Sequence, residues 1–393
     1  MTKGDIPKPV KIEAMLLNGY CAAVAEDKGG AGLAAELARE EGAPPSAALD
    51  ALDAISIGAK PKVAALKHVS LLDYRLLELA GAAPADALDR MEPALLAALT
   101  NDPHSAAGLR LDAAESAARL NAVSPDGLAA IYAALGAAEP ADALLTGSTT
   151  SGPARRAALF KAIEAEKTPM KTTRLVRALI DDARRNGLAI QAMQMSARAV
   201  ARIPAAQELS WFAETAAEVG LASANYDLAR RWIELSGSAP GAGSSSMHWM
   251  ALIDIADPGM QPHGQYLGEL ETLALRARFT PDQLHRLATV LDALDYVVPI
   301  PLWDAASRTP QPATGYLPET GVLSQLQDAS KKKEFGRTVL LAMKALGPSG
   351  AEGAHMIALG DSIRALKRAG LEPDARRLGL EALLGSWPRM ATN

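Results

Sequence analysis

The sequence predicts an all-α protein, and three observations lead to that prediction. The chain has 81 alanines among 393 residues, and alanine has the highest helix propensity. Signals that start and end helices recur along the whole chain, whereas no run of alternating apolar and polar residues indicates a strand. Hydrophobic residues make up 49% and charged residues 22% of the chain, so it can bury a large core.

The first predicted helix covers residues 11–25 and contains Cys21, the single cysteine. One thiol can form neither an intrachain disulfide nor a metal cluster, and we expect Cys21 to be a small buried apolar residue. Residues 1–10 lack the apolar core of a signal peptide. No window of about 18 residues is free of charge, so no membrane span is predicted.

Two later helices are marked by their first residues. Ser124 before Pro125, and Thr280 before Pro281, place an N-cap and a proline ahead of an apolar stripe, a pattern typical of helix starts. Three Gly-Leu steps, at Gly187, Gly220 and Gly370, indicate helix ends, because glycine suits the left-handed conformation found there.

The Gly-Leu steps separate helices that we expect to pair in antiparallel hairpins, at 172–185 with 189–203, 206–219 with 223–235, and 355–369 with 374–384. Such pairs recur at roughly 30 to 40 residues, which is typical of an α-solenoid of helix hairpins, curved into a superhelix. In this general sense the chain resembles tetratricopeptide-type repeat proteins.

Turn-rich stretches at 146–153 and 236–246, and a Pro-rich stretch at 297–321, indicate boundaries. We predict an N-terminal helical array (1–145), a central helical-hairpin array (152–296), a Pro-rich loop (297–321) and C-terminal helices (322–393). The loop carries Trp303 and Tyr316. We expect it to lack helical structure and to pack across the helices.

The sequence contains none of the common catalytic motifs. The phosphate loop, the dinucleotide-binding glycines, the zinc-protease helix and the nucleophile elbow are all missing. The six histidines are scattered, and none has a second histidine three or four residues away, so no metal or cofactor site is predicted. His248 and His263 bracket a segment with Trp249 and Tyr266, and these four residues are the candidates for a ligand groove.

Charge distribution is more informative than motifs. Forty basic and forty-five acidic residues give a net charge of -5, which argues against general nucleic-acid binding. Residues 151–202, however, hold eleven basic and four acidic side chains. One helix there carries a basic stripe of Lys171, Arg174, Arg177 and Arg184. A solvated outer face explains this stripe, and a docking surface for an anionic partner is the alternative.

Aromatic residues concentrate in the second half of the chain. Ten of sixteen lie between residues 211 and 316: Trp211, Phe212, Tyr226, Trp232, Trp249, Tyr266, Phe279, Tyr296, Trp303 and Tyr316. Large rings fill the core between Ala-rich helices, and a concave groove lined by some of them is the alternative. Trp303 and Tyr316, in the Pro-rich stretch, are candidate partner contacts.

Two stretches carry a narrower resemblance. Residues 12–42 with 71–98, and residues 346–384, are similar to an uncharacterised family of Ala-rich bacterial helical proteins. Some members of that family are longer at the N-terminus and exported. The resemblance implies that this chain is a C-terminal portion located in the periplasm; without it, the cytoplasm is expected. The family brings no established activity and no catalytic residue.

Three functional hypotheses follow. The first is a non-catalytic scaffold or adaptor that binds a protein partner through a solenoid surface, with the basic stripe or the Pro-rich loop in contact. The second is an enzyme or carrier that holds an apolar or polymeric ligand near Trp249, Tyr266, Trp303 and Tyr316. The third is electrostatic binding of an anionic polymer by the basic stripe. A protein partner fits the sequence best, and self-association is compatible with it.

Overall fold

A computed structural model describes residues 7–61, 68–84, 88–147, 150–237, 246–312 and 314–389. Over these residues the protein is all-α, as predicted, and no strand is present apart from two isolated bridges, Val69 with Met91 and Tyr316 with Ala354. The helices are α1 (Lys8–Val24), α2 (Lys28–Glu40), α3 (Ala47–Ile57), α4 (Leu71–Leu79), α5 (Pro93–Asn101), α6 (Ala107–Arg119), α7 (Pro125–Leu135), α8 (Ala141–Thr146), α9 (Gly152–Ala165), α10 (Pro169–Arg185), α11 (Ala189–Ala201), α12 (Ala213–Ala222), α13 (Tyr226–Gly237), α14 (His248–Ala256), α15 (Leu267–Leu275), α16 (Pro281–Ala293), α17 (Ile300–Ser307), α18 (Val322–Lys331), α19 (Phe335–Leu346), α20 (Gly350–Gly353), α21 (Met356–Ala369) and α22 (Glu372–Leu384), with 3-10 helices at Leu88–Arg90 and Gln207–Phe212.

The chain divides into two compact units. Unit 1 comprises residues 1–165 and 181–195, and unit 2 comprises residues 166–180 and 196–393. The predicted boundary after residue 145 lies inside unit 1, and the predicted Pro-rich segment lies inside unit 2. Most of the turn-rich stretch 236–246 lies outside the described residues.

Unit 1 is built mainly from helices that pack on their neighbours in sequence. Its first core, under α1 to α4, combines small and large apolar residues such as Ala31, Ala35, Leu49 and Leu52. Cys21 is exposed, contrary to expectation, because α1 turns the face that carries Gly19 and Ala23 inward.

A second feature of unit 1 is a closed polar network. Arg156, which is 2% exposed, donates from Nε and Nη2 to both oxygens of Glu115 at 2.7 and 2.5 Å. Its Nη1 donates to Asp182 Oδ1 at 2.6 Å. The hydroxyl of Tyr132 donates to Glu115 Oε1 at 2.6 Å, and burial raises the pKa of this tyrosine. Each charge therefore meets an opposite charge.

The predicted helix starts are confirmed. The Ser124 side chain accepts from the Gly127 amide at 3.1 Å, and Thr280 with Gln283 forms a capping box at the start of α16. The Gly-Leu prediction is wrong at Gly220, which lies inside α12. A Cβ there would lie 2.8 Å from the backbone nitrogen of Ala229, so glycine is needed for the close approach of α13.

Unit 2 adds contacts between helices that are distant in sequence. α22 packs against α14 and α16, and α21 packs against α16, α18 and α19. Helix α22 is therefore part of the core, and its residues Leu380, Leu383 and Leu384 are buried.

The Pro-rich segment differs from the prediction, because it contains a helix. α17 covers Ile300–Ser307, with Pro299 as its N-cap and Pro301 in its first turn. Proline is tolerated there because the first amides of a helix have no partner within it. Farther on, Tyr316 pairs with the chain before α21: its amide donates to Gly353 O at 2.9 Å, and its carbonyl accepts from His355 N at 3.0 Å.

Candidate functional site

An apolar row on α19 is exposed to solvent. Phe335, Val339, Leu340 and Met343 are 54, 39, 68 and 63% exposed. Their spacing of i, i+4, i+5 and i+8 places them within an arc of about 140° on one side of the helix. The opposite side, with Thr338, Ala342 and Ala345, is buried. We call these four exposed residues the apolar row.

The buried side explains why α19 keeps this orientation. Ala342 and Ala345 pack with Val322 and Leu326 of α18 and with Ala365 of α21. Small side chains on α19 allow the three helices to approach closely. Four bulkier apolar residues of α19, those of the apolar row, are turned outward to solvent, whereas Leu341 and Leu346 pack inward.

A basic cluster lies at the end of α18, next to the start of α19. Lys331, Lys332 and Lys333 are exposed, and within the described residues none of them forms an ion pair. Arg368 of α21 joins them, because its Nη1 donates to Ser330 Oγ at 3.3 Å. These four cations are called the basic cluster, and together with the apolar row they form the α19 surface.

Tyr316 lies at the other end of α19. A Cβ built on Gly347, just after the helix, would lie 2.4 Å from the tyrosine ring, so the ring covers the end of α19. Its side chain is 37% exposed, and that of Leu317 is 54% exposed. The predicted partner contact Tyr316 is thus brought next to the apolar row.

The rim of the α19 surface carries charges of both signs. Arg337 Nη1 pairs with Glu334 at 2.9 Å, and Lys344 Nζ pairs with Glu319 at 2.9 Å. The Glu319 side chain is 76% exposed. Exposed ion pairs of this kind add little stability, and their carboxylates remain accessible to a partner.

A second site of unit 2 is a cavity of 530 Å³. Its lining comes from the loop before α15, from the segment after α16 and from α21 and α22: His263, Gly264, Leu267, Leu294, Asp295, Tyr296, Val297, Pro299, Lys367 and Arg376. One part of the wall is apolar, and another part carries two cationic side chains and an imidazole.

Asp254, 1% exposed near the end of α14, organises the polar wall. Its Oδ1 accepts from His263 Nδ1 at 2.7 Å and from the Tyr296 hydroxyl at 3.2 Å, and its Oδ2 accepts from the Gly264 amide at 2.6 Å. Burial raises the pKa of Tyr296. The carboxylate thus fixes the imidazole, the phenol and the loop.

Arg376 of α22, 4% exposed, closes this network. Its Nη1 donates to the carbonyls of Asp254 and Ile255 at 3.2 Å and to the Tyr296 hydroxyl at 3.0 Å. The two carbonyls belong to the last turn of α14, where carbonyl oxygens receive no N–H donor from within the helix, so a cationic donor is favourable there. Nε donates to Glu372 at 3.0 Å.

His263 is a fixed acceptor in this arrangement. Its Nε2 lies 3.2 Å from Arg376 Nη2 and 2.9 Å from Gln261 Nε2. Both neighbours are donors, so Nε2 serves as the acceptor and Nδ1 as the donor to Asp254. A general base needs a free lone pair directed at substrate. The geometry therefore supports binding better than proton transfer.

The other groove candidates lie elsewhere. His248 and Trp249 are 1 and 0% exposed. The His248 ring stacks on Trp387 at 6.1 Å, and Trp249 Nε1 donates to Glu214 at 3.2 Å. In contrast to the prediction, these two residues fill core that the C-terminal segment covers. Tyr266 is half-buried at the start of α15 and does not line the cavity.

The basic stripe is divided between the units, with Lys171, Arg174 and Arg177 in unit 2 and Arg184 in unit 1. The guanidinium of Arg177 lies 5.6 Å from the Trp211 ring centre, and Arg184 pairs with Asp181 at 3.5 Å. Arg174 is exposed. At least two cations of the stripe therefore already have contacts inside the protein.

Trp303, the other predicted partner contact, is 45% exposed on α17. Within the described residues, no three His, Cys, Asp or Glu side chains come together in a way that could hold a metal ion. None of the described helices has the length and apolar character needed to cross a bilayer.

Sequence reasoning missed most of the cavity wall. Asp254 and Arg376 nevertheless leave a signal, since each is a charged residue on an otherwise apolar helix face. A buried charge needs a partner, so these two residues could have been linked. The apolar row leaves no such signal, because α19 has apolar residues on several sides.

Comparisons with protein-family models, with curated proteins and with solved structures find no match for this chain. The resemblance to Ala-rich bacterial helical proteins stays a prediction. The features of this protein that bear on its function are therefore the α19 surface and the cavity.

Proposed function

We propose that this protein is a non-catalytic adaptor that binds a protein partner through the α19 surface. The observation that carries the proposal is the exposure of the whole apolar row next to four cations. A partner that fully covers a side chain such as Leu340 or Met343 gains about 1.5 to 3 kcal/mol for each of them, because water no longer contacts the apolar surface. Exposed apolar patches with a polar rim are typical of interaction sites.

The chemistry of the surface points to an acidic amphipathic helix as the partner element. The apolar row runs for about 12 Å along α19, from Phe335 to Met343, since a helix rises about 1.5 Å per residue. A partner helix can lay an apolar stripe against it. Carboxylates on that helix would meet the basic cluster, which gives both affinity and orientation.

A protein fits this surface better than a lipid bilayer does. Glu319 and Glu334 stand on the rim, where anionic headgroups would be repelled by them. A protein interface, in contrast, commonly has a polar rim of both signs around an apolar centre. The helix hairpins fit an α-solenoid architecture, which we include in the proposal because solenoids commonly present such binding surfaces.

The test uses the full chain as bait for proteins of its source cell, with Leu340→Asp as the variant. We expect the native chain to capture a protein with an acidic amphipathic helix, and a synthetic peptide of that helix to bind at least tenfold more weakly to the variant. The matched control is Leu275→Asp, since Leu275 is 70% exposed on α15 but lies outside the α19 surface.

Charge reversal supplies the second arm. Replacing Lys331, Lys332 and Lys333 by Glu should weaken binding of the same peptide, and the remaining affinity should rise with salt, because salt screens the repulsion between like charges. Equal binding to native chain and Leu340→Asp would contradict the proposal. So would a surface that binds only a second copy of the chain, seen as concentration-dependent dimerisation that Leu340→Asp abolishes.

A further inference from the structure

We infer that the hairpin of α1 and α2 in unit 1 is a second docking surface, which binds a basic amphipathic helix. The inference is independent of the proposed function, because the α19 surface lies in unit 2. A Cβ built on Gly19 would lie 3.1 Å from the Ala34 Cβ, and one built on Gly30 would lie 3.1 Å from the Ala22 Cβ. The two helices are therefore close antiparallel neighbours.

The solvent side of this hairpin is apolar. On α1, Val10, Leu17 and Val24 are 51, 52 and 54% exposed. Their spacing of seven residues keeps them within an arc of about 40° on the helix. On α2, Leu33 and Leu37 are 57 and 41% exposed and lie one turn apart. We call these five side chains the hairpin row.

The two halves of the hairpin row face the same way. Ala23 of α1 and Ala31 and Ala35 of α2 are buried in one core cluster beneath the hairpin. On each helix the row lies on the side opposite to these alanines. Since α1 and α2 are neighbours, the two apolar stripes run side by side, which suits a partner helix that lays its own apolar stripe along them.

Carboxylates edge the hairpin row. Glu36 and Glu40 of α2 each stand three residues after a leucine of the row, and Glu13 stands on α1 between its first two members. All three side chains are exposed, and in the described part of the chain none of them forms an ion pair. An apolar centre with an acidic edge complements a helix that carries Lys or Arg beside an apolar stripe.

The cations of the hairpin offset this acidic edge only in part. Residues 8–41 hold six acidic and four basic side chains. Lys11 pairs with Glu41 at 3.9 Å, and Arg39 pairs with Asp53 of α3. The other two cations are the first residues of α1 and α2, at the ends of the row. The same face of a second copy would bring carboxylates together, and anionic lipid headgroups would be repelled.

Fluorescence anisotropy with two synthetic peptides of about 14 residues tests the inference on the full chain. Both peptides carry a helical leucine stripe, and the remaining positions are Lys in the basic probe and Glu in the acidic probe. We expect the basic probe to bind, and Leu33→Gln combined with Leu37→Gln to weaken its binding about tenfold. The matched control is Leu340→Gln, since Leu340 is 68% exposed but belongs to the α19 surface.

Neutralising the edge is the second variant. Glu36→Gln combined with Glu40→Gln keeps the hairpin row, so the basic probe should bind about fivefold more weakly and with less dependence on salt. All four substituted positions are exposed, and we expect the thermal unfolding midpoint to stay unchanged. The acidic probe is expected only at the α19 surface, so its loss with Leu340→Gln tests the proposed function separately.

Cys21 reports where the basic probe lies. It is the single cysteine of the chain and is exposed, one turn after Leu17 on the same side of α1. Saturation with the basic probe should slow alkylation of Cys21 by iodoacetamide about fivefold, because the bound helix covers this side of the hairpin. The acidic probe should leave the rate unchanged.

No binding of the basic probe to the native chain, binding that neither pair of substitutions weakens, or binding without protection of Cys21 would overturn the inference. Self-association that both the leucine pair and Leu340→Gln abolish would do the same, because the hairpin would then bind the α19 surface of a second copy. So would capture by phosphatidylserine-containing vesicles that the leucine pair abolishes, because the row would then serve a membrane.

Discussion

Each unit of this protein contains a buried arginine whose network includes a tyrosine, Arg156 with Tyr132 and Arg376 with Tyr296, but the two arginines have different surroundings. In unit 1, Nε, Nη1 and Nη2 of Arg156 all donate to carboxylate oxygens, and the side chain is 2% exposed. In unit 2, Arg376 pairs with one carboxylate and gives its other bonds to carbonyls, a phenol and an imidazole. The acceptors of Arg156 are thus all carboxylates, whereas those of Arg376 are mostly neutral and Arg376 lines the cavity wall.

The acceptors around a buried arginine decide what its removal costs. Each nitrogen of Arg156 donates to a carboxylate, and removing this arginine leaves buried negative charge. Arg376 pairs with one carboxylate, that of Glu372, and its other bonds go to neutral groups, which carry no charge that its removal would leave uncompensated. The removal of Arg156 should therefore cost more stability than the removal of Arg376.

The largest expected effect comes from Arg156→Met. It leaves the Glu115 carboxylate, whose side chain is 1% exposed, with only the more distant guanidinium of Arg119, at 3.4 Å, and we expect the free energy of unfolding to fall by about 3 kcal/mol or more. Urea denaturation followed by circular dichroism measures this loss. Arg185→Met is the control, because Arg185 is 69% exposed at 3.3 Å from Asp182 and should cost less than about 1 kcal/mol.

A double variant sharpens this result. Adding Glu115→Gln to Arg156→Met removes the uncompensated charge, so part of the lost stability should return. A double variant less stable than Arg156→Met would mean that the network is held by packing of the side chains rather than by charge.

Arg376→Met is expected to have a smaller effect. Asp254 keeps its bonds from His263, Tyr296 and the Gly264 amide, and water in the cavity can reach the freed carbonyls. We expect a loss of about 1 to 3 kcal/mol in the same urea assay. Equal losses of unfolding free energy for Arg376→Met and Arg156→Met would contradict the expected difference between the two networks.

The sequence predicted the helical content, the helix starts at Ser124 and Thr280 and the packing of two helix pairs, α12 with α13 and α21 with α22, because caps, prolines and helical periodicity are local signals. It predicted one cavity residue, His263, and one residue beside the apolar row, Tyr316. The remaining wall depends on contacts such as that between Asp254 and Arg376, 122 residues apart. Local patterns do not contain such pairings.

At alkaline pH the two tyrosines, Tyr132 and Tyr296, should lower the free energy of unfolding by about 1 kcal/mol. Burial raises the pKa of Tyr132 and Tyr296 above the unfolded value of about 10. Above that pH the unfolded chain releases protons that the folded chain keeps. The free energy of unfolding therefore falls as pH rises, by up to about 1.4 kcal/mol per pH unit for each tyrosine.

Urea denaturation at pH 8, 10 and 11 checks this on the native chain, Tyr132→Phe and Tyr296→Phe. Each variant should lose stability less steeply above pH 10 than the native chain does. Burial raises the pKa of both tyrosines far above that of the unfolded chain, so the two variants should show changes of similar size. A variant that still loses stability as steeply as the native chain would mean that its tyrosine titrates alike in the folded and the unfolded chain.

The smallest effect is expected for Gln261→Ala, at the rim of the cavity. Gln261 is exposed, and its bond to His263 Nε2 at 2.9 Å exchanges readily with water, so the loss of stability should stay below about 0.5 kcal/mol. Arg376 still donates to the same nitrogen, so His263 should keep its position between Asp254 and Arg376. A loss as large as that of Arg376→Met would show that this exposed bond contributes as much stability as the buried arginine, contrary to its ready exchange with water.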